Sequence, residues 1–191
     1  GTDLVLSSVD RTLSAEVENL TLTGTDSLSG TGNTSANEIT GNDGNNKLFG
    51  DANNDTLTGG KGNDTLVGGD GNDSLMGGDG NDKLYGGDDE DILFGDAGND
   101  LVQGGNCNDA LYGGADDDRL EGGSGDDTLY GDPGRDTVLG GAGADRLEGG
   151  LGRDLASYAD AAGAVRVDLA TPSQNLGDAA GDSFLGIEDL E

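Results

Sequence analysis

The 191-residue chain contains no histidine and no tryptophan, one cysteine, two prolines, and only 9 basic residues against 39 acidic ones. Without histidine, the usual zinc ligand, the commonest general base and a Ser/His/Asp triad are all excluded. The single thiol, Cys107, rules out an internal disulfide framework and leaves the redox compartment undecided, although poverty in cysteine is compatible with export. With 31% hydrophobic residues the chain cannot fill an ordinary globule of this length, so any core must be thin. A formal net charge of −30 argues against nucleic acid and anionic membranes as direct partners and for cations. No run is long enough to span a bilayer, and neither a signal peptide nor an initiator methionine is present. The segment therefore reads as a piece of a longer chain, with any export signal outside it.

What the chain has in quantity is glycine, 39 residues, placed periodically. From Gly32 to Ser157 it runs in one nine-residue frame, clearest in GGKGNDTLV (59–67), GGDGNDSLM (68–76) and GGDGNDKLY (77–85). A nonapeptide is too small to bury a core of its own and must stack on its neighbours, which makes the architecture a solenoid. Low hydrophobicity with high charge is also the composition of a disordered acidic tail. A disordered chain, however, has no reason to keep a fixed aliphatic register.

Position eight carries that register: Ile39, Leu48, Leu57, Leu66, Leu75, Leu84, Leu93, Val102, Leu111, Leu120, Leu129, Val138 and Leu147, ending at Ala156. One aliphatic residue in nine predicts a strand of about three residues with its middle side chain buried. The first six positions form the turn, where glycine at positions one, two and four allows positive φ and leaves carbonyl oxygens exposed. Where glycine is replaced, Asp51, Asp96 and Asp132 stand at position two and Asn53, Asp89 and Asp116 at position four, residue types that tolerate the left-handed region. Cys107 at position four is the exception, and the turn from Gly104 to Asp109 is expected to be strained or a poorer ion site.

Position six is Asn37 and Asn46 in the first two repeats and aspartate in every later one: Asp55, Asp64, Asp73, Asp82, Asp91, Asp100, Asp109, Asp118, Asp127, Asp136, Asp145 and Asp154. A turn offering one carboxylate and several free carbonyls, without sulfur or imidazole, suits a hard cation taking six to eight oxygens, calcium rather than magnesium or zinc. These aspartates are the candidate metal ligands, together with backbone carbonyls such as those of Gly60, Gly62, Gly69, Gly71, Gly78, Gly80, Gly123, Gly125, Gly141 and Gly143. If two nonapeptides make one coil, aspartates eighteen residues apart stack in two columns, and the gaps between them give about ten calcium ions. Plain turn chemistry explains one such aspartate, but it would accept asparagine or serine at many of the twelve.

The quoted repeats, with GGSGDDTLY (122–130), match GGxGxDxUx and resemble the RTX (repeats-in-toxin) family. The resemblance implies an all-β fold, a right-handed parallel β-roll whose turns bind calcium through the position-six aspartates and turn carbonyls. It also implies type I secretion and folding triggered by calcium outside a bacterial cell. Asn37 and Asn46 depart from the motif, as does Cys107, and each departure weakens the case for a site there.

Residues 1–31 are expected to form a flanking cap of short strands, 32–157 the roll of about fourteen nonapeptides, and 158–191 a C-terminal cap. In that last segment Val165, Val167 and Leu169 alternate as a strand does, followed by a Pro/Ser/Asn/Gly turn and a second apolar stretch from Phe184 to Leu190. VENLTLTG (17–24) returns in degenerate form as IEDLE (187–191), as if two copies of one punctuation mark bracket the repeats. At position nine Phe94, Tyr112 and Tyr130 are expected to stack on one face, either stabilising the sheet or offering a strip to a neighbouring domain, a glycan or a cell-surface partner. The expected function is a non-catalytic, secreted calcium-binding module with no catalytic residue and no organic cofactor. The alternatives are the C-terminal part of a secreted lipase, metalloprotease or alginate epimerase, whose catalysis lies elsewhere, or the repeat region of an adhesin or surface-layer protein.

Overall fold

A computed structural model describes residues 1–159, 161, 163–167, 169 and 175–191. It is a parallel β-solenoid: two sheets of ten strands each take alternate strands of the chain. In one sheet Leu57, Leu75, Leu93 and Leu111 lie side by side, and in the other Leu48, Leu66, Leu84 and Val102. Neighbours in a sheet are thus eighteen residues apart, so one coil consumes two nonapeptides.

The position-eight side chains of both sheets meet in a single ribbon of core, and from Ile39 to Ala156 each is fully buried. Strands in the regular part are six residues long, as in Thr56–Lys61 and Thr65–Asp70, rather than the expected three. The extra length comes from positions two and three, which pair with their counterparts one coil later, Gly60 with Gly78 and Lys61 with Asp79. Their pairing carries the ladder into the turn, so each bend is fastened to the next by backbone hydrogen bonds. Seven non-glycine residues have positive φ, and they are the seven at which positions two and four lack the expected glycine from the third repeat, Gly50, onward: Asp51, Asn53, Asp89, Asp96, Cys107, Asp116 and Asp132. Cys107, exposed and free, adopts φ 71° and keeps the turn shape of its neighbours at the expense of local strain.

The flanks extend the same two sheets. Leu4–Ser7 pairs with Asn19–Leu22 and that with Glu38–Thr40, while Arg11–Thr12 pairs with Ser29–Thr31. Leu13, Leu20 and Leu22 join the core ribbon. At the other end the strand expected over Val165, Val167 and Leu169 lies partly outside the described residues; among the described ones the segment makes an isolated antiparallel bridge between Arg166 and Leu176. The sheet edges that such a strand needs are taken instead by Ser183–Leu185 and Asp189–Leu190. Phe184 lies beside Leu147 and Leu190 beside Ala156, so the C-terminal segment resumes the repeat geometry after an excursion. The turn expected around Pro172 lies outside the described residues.

On the outer face Phe94, Tyr112 and Tyr130 stack with ring centroids 4.7 and 4.9 Å apart and near-parallel planes, and Arg146 lies over Tyr130 at 5.7 Å. Replacing Tyr112 with Ser removes both stacks, with an expected loss of about 1–3 kcal/mol. Leu111→Ala, next to it but fully buried, is expected to lose about 2–5 kcal/mol. Denaturant unfolding of both variants at saturating calcium checks the order.

Candidate cation-binding columns

The two columns of position-six aspartates are built by one repeated hydrogen bond. The backbone N–H of Asp55 donates to Oδ1 of Asp73 at 2.7 Å, Asp73 to Asp91 at 2.8 Å, and so on along the column to Asp145. The second column runs likewise from Asp64 through Asp82, Asp100, Asp118 and Asp136 to Asp154. Each carboxylate therefore uses one oxygen to receive the preceding coil. In all twelve aspartates the other oxygen, Oδ2, is buried with no hydrogen-bond partner.

Position one shows what surrounds that oxygen. A β-carbon on Gly50 would come within 3.0 Å of both Asp55 Oδ2 and the carbonyl oxygen of Gly68, and Gly59, Gly77, Gly95 and Gly131 repeat the arrangement. These glycines do not have positive φ. Glycine is required at position one because carboxylate and carbonyl oxygens from two coils converge where its side chain would be. At positions two and four the ten glycines expected to offer carbonyls all have positive φ: Gly60, Gly62, Gly69, Gly71, Gly78, Gly80, Gly123, Gly125, Gly141 and Gly143. Several of these carbonyls stack directly, that of Gly60 against Gly78 and that of Gly62 against Gly80, too closely for a side chain. Among the described residues no three Asp, Glu or Cys side chains converge on one point. A cation held here would take most of its oxygens from the main chain.

Burial raises the pKa of these carboxyls first and most; the hydrogen bond received from the preceding coil lowers it, and neighbouring carboxylates raise it again. Asp118 is pushed up to about 8, Asp55, Asp64, Asp91, Asp100, Asp109, Asp136 and Asp145 to about 7, and Asp73, Asp82 and Asp127 to about 6. A buried carboxylate with an unpartnered oxygen either takes up a proton or needs a positive charge beside it.

Four matches to a family model described as the RTX calcium-binding nonapeptide repeat cover residues 31–66, 67–102, 85–120 and 121–156. The chain belongs to the RTX calcium-binding nonapeptide-repeat family. No curated protein matches it. Calcium is the cation this family implies, and the donor set fits it: hard oxygens only, carboxylate and carbonyl, with no nitrogen or sulfur.

The RTX turns of the first two repeats are arranged differently. Asn33 and Asn42 at position two do not have positive φ, and their backbone N–H groups donate to Oδ1 of Asn37 and Asn46, each at 2.7 Å. The Asn37 amide donates toward the carbonyls of Val17 and Glu18, and the Asn33 amide to those of Ser14 and Val17. N–H groups fill these two turns, leaving no unpartnered side-chain oxygen at Asn37 or Asn46.

Position-one carbonyls, such as that of Gly68, belong with those of positions two and four that the glycine pattern pointed to. Two sets of functional positions escaped the sequence reading. Position-five side chains bond in the opposite sense, Asn54 Oδ1 receiving the Asn72 N–H and Asn63 Oδ1 that of Asn81; the run of asparagines at this position was the available signal. Finally, Asp182 Oδ1 receives the Asp145 N–H and Glu188 Oε2 that of Asp154, outside the nonapeptide frame, where periodicity offers no signal.

The pKa values set the pH dependence. The folded values lie above the unfolded value of 3.8, so the ion-free fold binds more protons than the unfolded chain. Its stability is therefore greatest below about pH 4 and is lost as pH rises through about 6 to 8. In chelator, β signal in circular dichroism is expected to grow as pH falls from 8 to about 4.5. Over the same range calcium affinity is expected to weaken as protons compete for the carboxylates.

Proposed function

We propose that this chain is a non-catalytic calcium-responsive folding module of a secreted bacterial protein. The observation that carries the proposal is the set of twelve buried carboxylate oxygens without partners. Ionising these groups out of water is costly, and the ribbon of one aliphatic side chain per nonapeptide is a small core to set against that cost. Calcium, when bound, supplies the positive charge between coils. Asp55 to Asp154 then act as paired ligands with the turn carbonyls, each aspartate still receiving the preceding coil through Oδ1. With six aspartates per column, five gaps each give about ten ions.

The turn glycines hold the carbonyls in place, so folding and ion binding become one event. Extracellular calcium modules work at about 10⁻⁴ to 10⁻³ M, concentrations met outside a cell and not within it. Such a chain stays unfolded during synthesis and compacts after export. Two features support a passive role in chemistry: the absence of histidine and the engagement of the carboxylates in ladder hydrogen bonds. Among the described residues no helix is long and apolar enough to cross a membrane.

Calcium titration followed by circular dichroism tests the proposal. Excess chelator at pH 7.5 is expected to abolish most of the β signal, and millimolar calcium to restore it; a spectrum indifferent to chelator sinks the reading. In Asp100→Ala the Asp82 N–H loses its acceptor and the gaps on both sides of position 100 lose a ligand. The midpoint is expected to shift to severalfold higher calcium, more than for the exposed Asp79→Ala.

A further inference from the structure

The two aspartate columns have four ends, and the structure treats one of them differently from the other three. At the N-terminal ends the oxygens of Asn37 and Asn46 are closed by the N–H groups of Asn33 and Asn42. At the C-terminal end of the Asp55 column Asp182 continues the ladder, but its Oδ2 is taken by the Tyr158 hydroxyl at 2.5 Å. Proton donors finish all three.

The fourth end, beyond Asp154, gathers acceptors. Asp154 is fully buried and its Oδ2 has no partner. A β-carbon on Gly149 would meet both this oxygen and the carbonyl oxygen of Gly186 within 3.0 Å, the arrangement found at Gly50 between Asp55 and Gly68. Gly186 therefore stands where the next repeat would place its position-one glycine. Glu188 stands for the position-six aspartate, with Oε2 receiving the Asp154 N–H at 2.9 Å. Backbone bonds hold the segment there: Glu188 N–H and Asp189 N–H both donate to the Asp154 carbonyl. Arg153 on the same turn is engaged by Asp189 at 2.8 Å.

We propose that Asp154 Oδ2, the Gly186 carbonyl and the Glu188 carboxylate form a further divalent-cation position outside the nonapeptide repeats, one that fastens the C-terminal segment to the last coil. Glu188 adds the negative charge, and its longer side chain spans the shorter connection from Gly186, two residues instead of the five separating Gly50 from Asp55. The inference rests on the calcium reading of the repeats and adds one position to the five in each column. The Asp145 end gains none: the three atoms nearest the Gly140 β-carbon position all belong to Asp145, with no C-terminal carbonyl taking the place that Gly186 takes at Gly149, and Tyr158 holds Asp182.

Native mass spectrometry of the whole chain at saturating calcium counts the ions. The wild type is expected to hold eleven, Glu188→Gln ten, and Asp182→Asn eleven. Glutamine keeps an oxygen for the Asp154 N–H, so the fold is retained, which the circular dichroism of the calcium-loaded variant verifies. Limited proteolysis is expected to cut residues 158–191 severalfold faster in Glu188→Gln than in wild type at equal calcium. Ten ions in the wild type, or eleven in both wild type and Glu188→Gln, overturns the proposed position and leaves the repeats intact as calcium sites. No calcium uptake at all overturns the reading of the repeats as well.

Discussion

The whole fold depends on how one carboxylate is divided. Each position-six aspartate gives Oδ1 to the main-chain N–H of the coil before it and keeps Oδ2 inside the turn without a proton donor. The first oxygen fixes the vertical spacing of the turns to that of the strands, so the bends climb at the same rate as the sheets. The second leaves a polar defect in every turn from Asp55 onward. Because the apolar ribbon is narrow, nothing else in the cross-section is large enough to offset a dozen such defects at neutral pH. On the function proposed above, stability is thereby placed under the control of the cation and proton concentrations that surround the chain.

Much of this was legible in the residues. Position eight and position six announced the ribbon and the columns because each is a side-chain requirement repeated at one interval. The seven left-handed residues were legible too, since Asp, Asn and one Cys replaced glycine at fixed places in the frame. The position-one glycine was read as a matter of conformational freedom; its backbone is ordinary, and its true constraint is the space that converging oxygens leave. That constraint arises between coils, from residues of two turns, and a linear reading weights it as just another glycine.

The ends were the least legible part, for a physical reason. In the N-terminal coils Leu4 pairs with Asn19 and Leu20 with Ile39, so the spacing changes from coil to coil and no period survives to be read. At the C-terminus the step from Asp145 to Asp182 is 37 residues, and a side chain with its ladder partner that far away looks like any other acid. The resemblance between VENL and IEDL was visible, and its meaning emerges from the ladder. Glu18 receives the Asp3 N–H just as Glu188 receives that of Asp154. In both places glutamate makes the rung where the glycine turn is missing.

The irregular ends also solve a problem of phase. A helix of identical coils is symmetric under translation: sliding one half past the other by a full coil re-forms nearly the same leucine contacts and the same aspartate rungs. Such a chain has many almost equivalent ways to wind, each leaving a loop or a gap behind. The N-terminal coils of different length, the amide-filled turns at Asn37 and Asn46, and the single run of Phe94, Tyr112 and Tyr130 each fit only one winding. They act as alignment marks on an otherwise featureless ruler.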